Sequence, residues 1–306
     1  SSAFSQSRPT TAGTLRRASF VPDRDATVVE RLRQAGAVLL GKTNTPELTL
    51  GGETDNLVYG RTNNPYDFDC TPGGSSGGAG AIVASCGAAF DVGSDTGGSV
   101  RLPAHYCGIT GLKPTSGRVP SSGHIVSYDL GPLNPLTQLG PLARHVEDLK
   151  LIFSIIAGAD GRDPFVVPMP LGDPDGVEFK GLRAAVCTDN GIATPEPEVA
   201  QAVREAAGSL SEIGVTTEEA WPQEAVELTR IWLAVLVADG GAWIRRLLAR
   251  AGTTEVHPMV SDRFFGVEPI SAPEFTELLS EWDRLRSAML SFMTGYDVVV
   301  CPSSAF

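Results

Sequence analysis

The stretch 72–101, PGGSSGGAGAIVASCGAAFDVGSDTGGSVR, constrains this chain more than any other. It sets two glycine clusters around serines. Gly73, Gly74, Gly77 and Gly78 enclose Ser75 and Ser76, and Gly97 and Gly98 precede Ser99. A run of small residues suited to a helix lies between them. Glycines this dense cost backbone entropy on folding, so they belong where φ is positive or where another group approaches the main chain closely. Each cluster ends where a helix can begin, at Ser76 and near Ser99. Several backbone N–H groups then point at one place, an arrangement that holds an anion or a developing oxyanion.

The surrounding pattern alternates helix and strand, the rhythm of an α/β layer structure. Asp25 is suited to cap a helix over 25–35, with Val28, Val29 and Leu32 on one face. The apolar run 37–40 has the length of a buried strand. A small-residue helix is expected over 79–89 and a short strand over 90–92. Pro, Gly and Ser dominate 112–141, which reads as a long ordered loop. An apolar helix follows over 145–157, then a turn-rich passage over 160–176. Further on come a strand (182–187), a helix (196–213), the start of a strand (215–218), long amphipathic helices (225–251 and 272–294) and a closing strand (296–302). The expected fold is one large α/β domain over 1–306, with a central, mostly parallel mixed sheet covered by helices.

Composition excludes several functions. A net charge of −12 over 306 residues argues against nucleic acid, whose phosphates require clustered Lys and Arg. No apolar run reaches membrane-spanning length, and 1–13 lacks the apolar region of a signal peptide. Five cysteines (70, 86, 107, 187 and 301) are odd in number and never in CxxC spacing, which suits a reduced, cytoplasmic setting. The four histidines (105, 124, 145 and 257) share no ligand spacing, so neither metal nor cofactor is expected.

The serines admit competing readings. GGSSG satisfies the G-x-S-x-G elbow, which would make Ser75 a nucleophile with Asp129 and His145, or Asp239 and His257, downstream. No strand leads directly into Gly73, as an elbow requires. A phosphate loop needs Lys after the last glycine, and Gly78 has none. Ser99 could also simply cap a helix. A nucleophilic serine needs a base, and no histidine is placed by a motif, so a lysine held neutral by burial is the natural partner. Lys42, in GKTN, and Lys113, in GLKP, both have a structural look.

Five words resemble the amidase signature family, in the family's order: DATVVERLRQAGAVLLGKTN (25–44), YGRTNNPYD (59–67), PGGSSGG (72–78), GSDTGGSVRLPAHYCGITGLKP (93–114) and LGPLARHVEDL (139–149). The resemblance is dense over about 10–157 and looser over about 158–295, where such enzymes build substrate pockets. It implies hydrolysis of a small-molecule carboxamide through an acyl-enzyme on Ser99, with the amides of Thr96, Gly97, Gly98 and Ser99 as oxyanion hole. Ser75, after a cis Gly–Ser peptide, would relay protons, Ser76 would support the site, and Asp95 and Arg101 would pair to pin the second cluster. The family's base lysine belongs further upstream of TTAG (10–13) than this numbering reaches, and the family usually continues beyond a strand like 296–302. The chain is therefore expected to be incomplete at both ends and, as given, a poor catalyst, with Lys42 not expected to substitute. Specificity is expected in 121–135 and 221–270. Two alternatives remain: the amidotransferase subunit that draws ammonia from glutamine, and a binding relative without turnover. A homodimer is left open.

Overall fold

The computed structural model describes residues 3–306. The chain divides into two compact units, one built from 1–171 and 240–267, the other from 172–239 and 268–306. The segment 240–267 thus returns to the first unit, a division that chain order alone does not suggest.

In the first unit, α1 (Thr27–Gln34) starts after Ala26, whose extended backbone makes no side-chain cap. Asp25, the expected cap, has other partners: it accepts from the Gln6 amide at 2.8 Å and pairs with Arg33 at 3.0 Å. Arg31 leaves the same helix to donate to the carbonyls of Ile156, Ala157 and Gly158 at 2.7–2.9 Å. These are the terminal carbonyls of α4 (Val146–Ile156), where a cation offsets the negative end of the helix dipole.

The segment 37–40 is not a strand. It has the burial alternation of one, with Val38 and Leu40 exposed, but it forms no ladder with any described strand. The first sheet is formed instead by β1 (Phe90–Asp95), β2 (Thr110–Gly111) and β3 (Gln138–Ala143), in the order β1-β3-β2 with both pairs antiparallel. β3 begins inside the stretch 112–141 expected to be loop. Its sequence QLGPLA carries a glycine, a proline and a glutamine, yet all six residues are buried. Tertiary pairing with β1, from Phe90 opposite Ala143 to Asp95 opposite Gln138, overrides local preference.

Residues three apart on a strand face opposite sides, and Leu139 and Leu142 show it. Leu139 joins Val92, Val28, Ile152 and Ile156 in the core against α1 and α4. Leu142 joins Ala79 of α2 (Gly77–Ala84), Val100, and Ala104 of α3 (Arg101–Tyr106) on the other face. The sheet is therefore covered on both faces. Between the two leucines, a Cβ on Gly140 would lie 1.9 Å from the Leu112 carbonyl oxygen. Gly140→Ala is expected to destabilise the first unit by about 3 kcal/mol, the upper range for overpacking, read as a lower urea midpoint.

In the second unit, β4 (Arg183–Val186), α5 (Pro197–Glu212) and β5 (Thr216–Glu219) form a β-α-β crossover. β6 (Val298–Val300) completes a parallel sheet in the order β5-β4-β6. Val186 and Val300 pack with Val203 and Ala207 of α5. The α/β class is as expected, and its parallel and antiparallel strands belong to two three-stranded sheets. α9 (Ala272–Met293) opens with a full capping box between Ser271 and Glu274 and packs along α6 (Ala225–Val237).

The long helix expected over 225–251 is two helices. Gly240 and Gly241, at φ of 62° and 75°, take left-handed conformations in the turn that separates α6 from α7 (Ala242–Ala251). In the first unit α7 packs against α8 (Pro258–Phe264), a helix with no counterpart in the sequence expectations, through Trp243 and Phe264. Among the described residues, no helix is long and apolar enough to cross a membrane.

Candidate active site

The two serine clusters meet. Ser76 donates its backbone N–H to the Ser99 carbonyl at 3.1 Å, joining the start of α2 to the turn after β1. Ser75 and Ser76 are buried and Ser99 is half-buried. The Gly74–Ser75 peptide is cis. Thr54 braces this corner, its hydroxyl donating to the Gly73 carbonyl at 2.9 Å and accepting from the Gly77 amide at 3.1 Å. Gly74 lies so close to the 51–53 main chain that a Cβ would come within 2.7 Å of the Gly51 carbonyl oxygen.

The second cluster is organised by Asp95, the last residue of β1, which is fully buried. Its carboxylate accepts from the amides of Gly98 (2.7 Å), Val100 (3.1 Å) and Arg101 (3.3 Å). The Arg101 guanidinium adds a two-pronged contact, Nε at 3.0 Å and Nη2 at 2.9 Å. Burial alone would raise the Asp95 pKa, but these donors and the Arg101 charge outweigh it and hold the carboxyl below its ordinary value. Asp95 and Arg101 therefore pair as the sequence suggested.

One candidate oxyanion donor changes role. The Gly98 amide is committed to Asp95 inside the turn, so the value of Gly98 lies in its φ of 116°, which a side chain would strain. The amides of Gly97 and Ser99 make no hydrogen bond to another described residue. Thr96 is fixed through its hydroxyl, 2.7 Å from that of Thr137. Ser99 does not cap a helix: the residue before α3 is Val100, with no side-chain cap.

Neither lysine ends a regular strand. Lys113 is partly buried beside the second cluster, and its pKa is lowered by desolvation, with Asp95 pulling it up and Arg101 pushing it down. Lys42 is half-buried and pushed down to about 8 by desolvation, against the pull of Asp91 and Asp25. It donates to the Ala3 carbonyl. Asp91 stands four residues before Asp95 on β1, a separation of about 13 Å at strand spacing. Lys42 thus belongs to the far end of the strand from Ser99. Lys42→Ala is expected to leave the reactivity of Ser99 toward a fluorophosphonate within about twofold, measured as labelling rate, where loss of a general base costs roughly 10²–10⁴.

The elbow reading lacks its geometry. Turn and coil, not strand, lead into Gly73, Asp129 is paired with Arg250, and His145 is the residue before α4. His105 lies exposed on α3 against Tyr106, and His124 is buried and pushed down to about 3 by desolvation and the neighbouring Lys42 charge. His257 connects α8 to the 47–55 loop. Its amide donates to Glu47 Oε2 at 2.8 Å, and its ring lies 3.7 Å from Asp55. Glu47 was missed in the sequence; it is 1% exposed and its pKa is raised by burial, a state no local pattern announces.

Comparison with known proteins gives the family. The family model described as Amidase matches residues 6–306. A glutamyl-tRNA(Gln) amidotransferase component from Moorella thermoacetica, the A-type chain of that enzyme, is 45% identical over 213 residues, covering 69% of this chain and 43% of that protein. The chain thus spans less than half the length of that relative. Among solved structures, 6-aminohexanoate cyclic dimer hydrolase superposes with a TM-score of 0.82 at 30% identity, covering 96% of this chain and 63% of that one. Fatty acid amide hydrolase superposes with a TM-score of 0.83 at 25% identity, covering 99% of this chain and 56% of that one. With the family model matched along almost its whole length and these enzymes sharing its fold, the chain belongs to the amidase signature family.

Proposed function

We propose that this chain carries the acylating machinery of an amide-cleaving enzyme. The Ser99 hydroxyl attacks a carboxamide carbonyl, and its proton passes through Ser75 to a base. The C–N bond breaks with a proton returned to the leaving ammonia or amine, and water then releases the acyl group as carboxylate. The amides of Gly97 and Ser99 hold the tetrahedral oxygen, and each such donor is worth about 3–4 kcal/mol of barrier. The observation that carries this reading is the turn around Asp95, which commits the Gly98 and Val100 amides and leaves those of Gly97 and Ser99 uncommitted next to the Ser99 side chain.

A second reading makes the amide glutamine and the protein the ammonia-supplying component of a tRNA amidotransferase. It is favoured by sequence: relatives at 38–46% identity carry that name. For the donor, it is the better supported of the two. The test is ammonia release by the natural polypeptide from glutamine and from a panel of aliphatic, aromatic and amino-acid amides. Glutamine turnover that rises with a co-purifying partner supports the second reading, and partner-free turnover of other amides supports a free-standing amidase. No turnover of any amide, with Ser99 unreactive, overturns both and favours a binding relative.

A further inference from the structure

The second unit holds a pair of thiols that the proposed chemistry does not use. β4 and β6 run parallel, with Ala184 beside Val298 and Val186 beside Val300. The Cys187 amide extends the ladder by donating to the Val300 carbonyl at 2.9 Å. One residue further along this register, Cys187 stands beside Cys301. Residue 302 is proline and has no N–H, so the ladder cannot pass this rung. Val186 and Val300 both face α5, so the residues that follow them face the other side of the sheet together. Neighbouring strands lie about 4.7–4.9 Å apart, inside the Cα separation of roughly 4.4–6.8 Å that a disulfide spans. Both residues are thiols here, Cys187 buried and Cys301 exposed.

We propose that Cys187 and Cys301 form an oxidant-sensitive pair that closes to a disulfide when the protein meets hydrogen peroxide. The exposed Cys301 reacts first. Its thiolate attacks one peroxide oxygen, the O–O bond breaks, and a sulfenic acid and water result. Cys187 then loses its proton and attacks the Cys301 sulfur; the S–S bond forms, the S–O bond breaks, and a second water leaves. Two thiols and one peroxide give one disulfide and two waters. Burial and the neighbouring Cys301 raise the Cys187 pKa, so this second step quickens with rising pH. The exposed Cys70 and Cys86, on the first unit, are internal controls for ordinary surface oxidation.

The experiment treats the intact protein with hydrogen peroxide at mildly alkaline pH, blocks remaining thiols, digests without reduction and maps peptides by mass. The expected product is a single linked pair of peptides containing Cys187 and Cys301, lighter by two hydrogens and split by reductant. In Cys187→Ser, Cys301 is expected to proceed to sulfinic acid as Cys70 does. The proposal is overturned if wild-type Cys301 goes to sulfinic acid as readily as Cys70 with no linked pair, or if Cys301 links to any other cysteine.

Discussion

Asp95→Ala is expected to unfold the site and weaken the whole first unit. The substitution removes one acceptor and strands the amides of Gly98, Val100 and Arg101 together with the guanidinium. Breaking a buried pair by removing one partner costs about 3–5 kcal/mol. Arg101 is 48% exposed and recovers some hydration, so the lower end, about 3 kcal/mol, is expected. Urea denaturation should show it, with labelling of Ser99 lost in parallel. The pH dependence has a definite sign. A carboxyl held below its ordinary value contributes stability that is fully present above the unfolded pKa near 3.8 and is lost as pH falls through the folded value. Wild type should therefore lose stability below pH 3.8 more steeply than Asp95→Asn, which has no carboxyl to titrate.

Ser99→Ala should lower amide hydrolysis by about 10⁴-fold or more, the scale on which nucleophile removal acts in serine hydrolases. Ser75→Ala should cost less, roughly 10²–10⁴-fold, because a relay contributes proton transfer while the attacking oxygen and oxyanion donors remain. Neither change should lower stability in urea denaturation by much more than about 1 kcal/mol, since neither side chain carries a hydrogen bond that holds the turn. Equal losses for the two variants would contradict the separation of roles.

Much of this was legible because the informative residues are local. Gly97, Gly98 and Ser99 adjoin in sequence, and the carboxylate that organises them lies only a few positions away, so spacing alone exposes the turn. The 72–78 word announced its own close packing for the same reason. What stayed hidden depends on distant partners. β3 contains Gly140 and Pro141, which argue against a strand until β1 is beside it. Conversely, the apolar run 37–40 reads as a strand because sequence reports apolar length, not whether the backbone pairs with another strand. Asp25 was read as a cap, but Arg33 and the Gln6 amide take its carboxylate. The Gly98 amide looks like an oxyanion donor in sequence because a glycine-rich turn does not reveal which N–H groups its own aspartate takes.

The most direct test of the account is the identity of the acylated residue. The natural polypeptide is treated with a fluorophosphonate, digested, and the adduct located by peptide mass. The account predicts the adduct on Ser99, within residues 94–101, and none in Ser99→Ala. An adduct on Ser75 that survives Ser99→Ala would contradict it and make the 72–78 cluster the nucleophile's home.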